Sequence, residues 1–325
     1  MSSWIFLILC SSAVLALLSI IDKKAHGYGR SYLSYLLLIG ISATLAGCVI
    51  LIIVRIPNGI KLDLLTTTIS LSSYTISIGI SASLLFAILS GAFMTYAAFL
   101  VQKILFSEDV STTVPITQSS PIFAAILAIL ILGEEVSFLQ WISIVITVFG
   151  CALLSVNNDL LREFSLGKII REKNFYILMF ASFLFGASFV VGKMALDNLP
   201  VLFVHGIRSL VAGLIFLSFT IYKSSPRSDF VTYIRTRKSL FLLVSFNEVL
   251  ANIGFLLMLW ALYLGPVSLV TALSSTRALF IVLYSIGVSY IWKGALGETN
   301  TTQAVVLKVS SVLVIVIGVA GISLF

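Results

Sequence analysis

Charge is scarce in this sequence. Of its 325 residues only 10% are Asp, Glu, Lys or Arg, while 59% are apolar, and the mean hydropathy is +1.14. A soluble domain carries about 25% charged residues, so this composition excludes water as the main solvent of the chain. Cysteine is scarce too. Cys10, Cys48 and Cys151 are odd in number, widely spaced and each inside an apolar run, which excludes a disulfide framework or a metal-binding spacing and leaves them as small packing residues. The only histidines are His26 and His205, no His-Glu-x-x-His occurs, and no aspartate lies deep in an apolar run. An intramembrane enzyme needs such a reactive set, so no enzyme, metal or cofactor is expected. The absence of a Walker-type phosphate loop likewise excludes nucleotide hydrolysis by this chain.

What remains is apolar sequence in long runs. A helix needs roughly 20 largely apolar residues to cross a hydrocarbon core about 30 Å thick. Ten such runs are expected, over residues 3–21, 32–54, 79–105, 111–132, 138–155, 175–196, 200–222, 239–263, 266–292 and 302–324. A membrane β-barrel would show strands of ~10 residues with alternating polarity; unalternated runs such as Ala124 to Leu132 and Val312 to Val319 exclude it. Trp4, Trp141, Trp260 and Trp292 all fall near span ends, where an indole sits among headgroups. The first run lacks a basic leader and continues into Asp22, Lys23 and Lys24 without a small-residue cleavage site, so it is expected to be a helix and not a signal peptide.

The net charge of +7 is a topology signal, not a sign of nucleic-acid binding. Fourteen basic residues lie in odd-numbered joints: Lys23, Lys24, Arg30, Lys103, Arg162, Lys168, Arg171, Lys173, Lys223, Arg227, Arg235, Arg237, Lys238 and Lys293. The even-numbered joints hold three, Arg55, Lys61 and Lys193. The positive-inside rule places the side richer in Lys and Arg in the cytoplasm.

The polar joint 156–174 separates five runs from five, dividing the chain into a first repeat over 1–155 and a second over 175–325. Sliding the second half back by 157 positions aligns Val110-Ser111 with Val267-Ser268, Thr117 with Ser274, Ser119 with Thr276 and Phe123 with Phe280. The half-ends Gly150 to Ser155 and Gly318 to Leu324 are also alike. An odd number of helices per half makes the two repeats inverted, with a binding site expected near the midplane between them.

The stretch from Val114 to Ser155, VPITQSSPIFAAILAILILGEEVSFLQWISIVITVFGCALLS, strongly resembles the end of the EamA-type repeat of the drug/metabolite transporter superfamily: a small-polar helix with proline, a Gly-Glu ending, and a Gln-Trp-led helix closing on small residues. The second half resembles a more divergent copy without the Gly-Glu ending in register. The resemblance implies an all-α integral membrane protein of two inverted five-helix repeats, working by secondary transport or exchange. Small members of the superfamily use a glutamate in the first helix; here Ser11 and Ser12 stand in that region, so that role does not carry over. Family members usually keep both termini in the cytoplasm. The charge count puts the termini outside, but both readings put them on one side.

Deep polar residues concentrate in the second half. Glu248 is the one acid deep in a span; Arg208 and Arg277 lie at similar depth, with His205 one turn before Arg208 and Asn252 one turn after Glu248. Charges at this depth cost about 2.5–3.5 kcal/mol on insertion scales and normally face a cavity or a partner. Either Glu248 pairs with an arginine to set helix register, or the group faces a transport cavity. In the first half, Thr112, Thr113, Thr117, Gln118, Ser119 and Ser120 accompany Pro115 and Pro121 on the fourth run; a kink there would free carbonyls that only protein or water can satisfy. Gln118 is the cavity candidate of this turn and Tyr96 a further one. Glu134 and Glu135 are expected to cap the fifth helix, and Lys193 and Lys308 to be interfacial.

Two arginines against one glutamate favour a small solute with an anionic group, such as an amino acid or related metabolite. Proton-coupled efflux of cationic or amphipathic compounds through Glu248, flipping of a lipid-linked substrate, and a non-transporting scaffold or sensor are the alternatives. The longest joint, under about 25 residues, leaves little room for an output domain. The expected partners are a solute, a proton if coupled, and the lipid bilayer; a homodimer is left open. Cysteine-accessibility labelling should find joints 156–174 and 223–238 on one face of the membrane and both termini on the other; opposite reactivity of the two joints would mean a helix miscounted between them.

Overall fold

The computed structural model describes residues 3–26, 32–54, 69–71, 74–76, 82–105, 116–155, 173–220, 238–281, 283–284 and 302–324. Ten helices occupy the expected runs among them: α1 (Ser3–His26), α2 (Tyr32–Val54), α3 (Ala82–Leu105), α4 (Ser120–Leu127, continued as a π-helix over Ala128–Leu132), α5 (Phe138–Ser155), α6 (Lys173–Leu196), α7 (Val201–Thr220), α8 (Lys238–Leu264), α9 (from Val267–Ser274 onward) and α10 (Thr302–Leu324). Six are long and apolar enough to cross a membrane; Ser120–Leu132, Phe138–Cys151, Val267–Ile281 and Ser310–Ile322 are shorter apolar helices within the described residues. A two-stranded hairpin, β1 (Ile69–Leu71) and β2 (Tyr74–Ile76), pairs antiparallel in the joint between α2 and α3. The membrane part is all-α, as expected.

The packing repeats under exchange of the halves. α1 packs along α8 as α6 packs along α3, while α2 with α7 and α5 with α10 each join equivalent helices of the two halves. Lipid supplies no hydrophobic drive for one helix to meet another, so small residues that admit close approach decide these contacts. An added Cβ on Gly47 would lie 2.6 Å from the Leu210 nitrogen, and one on Gly213 would lie 2.5 Å from the Thr44 nitrogen. The α2–α7 pair is thus held by glycine on both sides. Gly150 and Gly318 play the same part for α5 and α10, against Ile315 and Thr147, which gives the similar half-ends a packing reason.

The fourth helix breaks at Gln118-Ser119, with a turn between the helical residues 116–117 and Ser120. Pro121, in the first turn of α4, cannot donate the hydrogen bond that would join the two pieces. Ser119 Oγ and Ser182 Oγ of α6 both donate to the Ile116 carbonyl, at 2.7 and 3.2 Å. The turn therefore packs on the opposite half. Thr112, Thr113 and Pro115 lie outside the described residues.

At its far end α4 stops on Gly133, whose φ of 67° is left-handed backbone that favours glycine. No neighbour lies within 4 Å of an added Cβ there, so conformation and not space calls for glycine. The turn sends Glu134 across to the second half. Its carboxylate accepts the Val267 N–H, the Ser268 N–H at 3.0 Å and the Ser268 hydroxyl at 2.6 Å. Glu134 therefore caps α9, correcting the expectation that it caps α5. The start of α5 is closed by its own capping box, with Ser137 N–H donating to Gln140 Oε1 and Gln140 N–H to Ser137 Oγ.

Lys193 completes this corner. Its ammonium donates to the carbonyls of Leu262, Tyr263 and Gly265, the last two at 3.1 and 3.2 Å. The C-terminus of α8 thus receives a cation and the N-terminus of α9 an anion, each matched to the helix dipole. A charge-assisted hydrogen bond contributes roughly 1.5–3 kcal/mol. Glu134→Ala is expected to lower the melting temperature of the purified protein clearly, and Glu135→Ala, at an exposed neighbour, to leave it unchanged; differential scanning fluorimetry in detergent would compare them.

Candidate functional site

The two deep arginines of the second half point to different helices. Arg208 points from α7 toward α3 and α6, where Nη2 donates to the Ser188 hydroxyl at 3.4 Å and meets the Met94 sulfur. Its other amino group lies against bare backbone: a Cβ on Gly192 would stand 3.3 Å from Nη1 and 2.9 Å from Ser90 Oγ. Ser90 in turn donates to the Ser188 carbonyl at 2.7 Å. Three helices therefore each present a pair of residues one turn apart: Ser90 and Met94 on α3, Ser188 and Gly192 on α6, His205 and Arg208 on α7. Arg208 is 7% exposed and His205 3%.

Among the described residues, no negative charge is hydrogen-bonded to Arg208 in this cradle. Among the described residues, the hydrogen-bond partners of Arg208 are a hydroxyl and a thioether. The Nε2 atom of His205 is buried with no hydrogen-bond partner among the described residues. Asn252 stands beside the imidazole and ties α8 to α7, accepting from Ser209 Oγ at 3.3 Å and donating to the Glu248 carbonyl at 2.8 Å.

Arg277 belongs to a different place. From α9 it donates Nε and Nη2 to Ser19 Oγ on α1, at 3.1 and 2.6 Å. The antiparallel register of α1 on α8 seats Trp4 against Gly265 and Leu15 against Gly254. Four residues further, Ser19 reaches the level of Leu250, less than a turn from Glu248. Glu248 is 8% exposed. Arg277 thus turns its guanidinium to α1, while Arg208 turns its own to α3 and α6.

The two remaining candidates lie apart from these groups. Gln118 is half-buried in the α4 turn, whose neighbour Ser119 meets the Met179 sulfur of α6 at 3.7 Å. Tyr96 is 43% exposed and stacks on Phe99, with ring centroids 6.4 Å apart. Two residues beyond Met94, it faces away from Arg208, because successive helical positions turn through about 100°. A cavity of about 210 Å³ between α3, α4 and α6 is lined by Phe93, Leu127, Ile131, Phe183, Leu184, Ala187, Val190 and Val191; it holds no polar group and none of the candidates. Sequence reasoning missed Ser188, Ser90, Met94 and Gly192. Their signal was the i, i+4 spacing of small or sulfur-bearing residues on two helices, which has meaning only once Arg208 is known to point there.

A solved crystal structure has the same fold, with a TM-score of 0.69 over 99% of this chain and 97% of that one, at 13% sequence identity. No curated protein matches the sequence. The EamA-like transporter family matches twice, over residues 2–156 and 174–325, once in each half of the helical bundle, and the chain belongs to that family of membrane transporters.

Proposed function

We propose that the protein is a secondary transporter, in the plasma or inner membrane, of a small organic metabolite bearing an anionic group, amino acids and related compounds included. The observation that carries this reading is Arg208, buried to 7% exposure with only neutral hydrogen-bond partners among the described residues. It is the eighth residue of α7, so its Cα lies ~10 Å along the helix at 1.5 Å per residue. A guanidinium at such a depth is costly and typically marks a substrate pathway or a paired site. The excess positive charge at Arg208 is the solute's to neutralise.

The fold supports the same reading. Inverted repeats bring the end of α6, the start of α7 and the middle of α3 together, and rocking of one repeat against the other would expose a site between them alternately to each side. With no nucleotide-binding loop in the chain, a solute gradient or exchange drives the cycle.

Uptake and counterflow in vesicles of purified protein would test this with a panel of anionic, zwitterionic and cationic metabolites. Anionic or zwitterionic solutes should move, and Arg208→Gln should reduce their uptake by roughly tenfold or more, the equivalent of one charge-assisted hydrogen bond. Glu248→Gln should cost stability and leave affinity per folded molecule largely intact. Transport of cationic compounds alone, lost in Glu248→Gln, would overturn the proposal in favour of proton-coupled efflux.

A further inference from the structure

Met94 is an odd partner for a buried guanidinium. A thioether is among the weakest acceptors in the side-chain inventory, yet its sulfur is the atom in contact with Arg208 Nη2. The rest of the cradle is better matched: Ser188 accepts a hydrogen bond, Gly192 leaves room for Nη1, and Ser90 fixes the α6 backbone behind it. Arg208 thus has a well-shaped seat whose one poor contact is Met94.

We infer that the Met94 sulfur occupies the place of a solute carboxylate, and that Arg208 and Ser188 form a binding subsite selective for monoanionic carboxylates. This rests on the proposal that the chain carries an anionic solute. Methionine suits the part, because an unbranched side chain with three rotatable bonds can leave and return without disturbing the backbone. A guanidinium and a carboxylate form two parallel hydrogen bonds, replacing one weak contact with two strong ones. Charge selects the class. One guanidinium balances one negative charge, whereas a phosphate dianion would leave a buried charge uncompensated. Ser188 contributes a neutral hydroxyl.

The experiment compares thermal stabilisation of the purified protein in lipid nanodiscs by acetate, butyrate, benzoate and L-phenylalanine with that by the matched primary amides and inorganic phosphate. The carboxylates should stabilise the wild type and the amides and phosphate should not. Met94→Leu should keep the carboxylate response. Met94→Glu supplies its own carboxylate to Arg208, so it should raise the melting temperature without added solute and weaken the response to carboxylates by at least about tenfold in concentration. Should Met94→Glu fail to fold, Met94→Gln, which offers a neutral amide oxygen, should weaken the response to a smaller degree. A wild-type response in folded Met94→Glu or Met94→Gln would overturn the role of Met94, while loss of anion transport in Arg208→Gln would still uphold the transport reading. Anion transport unchanged in Arg208→Gln would overturn both, and phosphate stabilising the protein as well as the carboxylates do would overturn the selectivity.

Discussion

A helix end inside a membrane protein has backbone groups that lipid cannot hydrate, and the corner between α8 and α9 meets that constraint with side chains from elsewhere in the chain. Pro266 can donate nothing, and the first free N–H groups of α9 belong to Val267 and Ser268. Glu134 accepts both, and Lys193 donates to the carbonyls that end α8. Each is a charge placed on a helix end that lacks partners within its own helix; together they form the joint that fastens α4 and α6 to the α8–α9 corner. The left-handed Gly133 matters because it aims Glu134. Half-to-half contact by apolar side chains alone would be weak in a solvent equally apolar.

The same constraint sorts the other charges. Arg277 is placed with Ser19 on the α1 side, at the level of Glu248, whereas Arg208 is seated among hydroxyls, a thioether and a glycine. Gly192 and Lys193 are consecutive in α6, one beneath the Arg208 guanidinium and the other on the α8 terminus. The proposed anion site and the corner between the halves are thus built on the same turn of one helix. In alternating access, the site and the contacts that move must share structural elements, and α6 is placed to be one of them.

The helix count, the break near Pro121 and the division into two halves were legible because each depends on local sequence: length of an apolar run, a missing N–H, a polar joint. The depth of Arg208, His205, Glu248 and Arg277 was legible for the same reason. The helices that the two arginines face were not. Four residues at similar depth on three helices looked like one cluster, but a helix also has a rotation about its axis, and rotation sends Arg208 to α3 and Arg277 to α1. The capping of Glu134 misled in a related way, since it stands four residues before α5 in sequence and faces α9 in space.

By itself, then, the sequence determined that this is a ten-helix membrane protein of inverted repeats with deep charges in its second half, because lipid forces apolar runs and backbone self-satisfaction that a reader can count. Which charges meet was decided only by the tertiary structure. Small residues such as Gly47, Gly192 and Gly213 set how near and at what rotation two helices approach, and a guanidinium that turns through a fraction of a helical turn exchanges one set of neighbours for another.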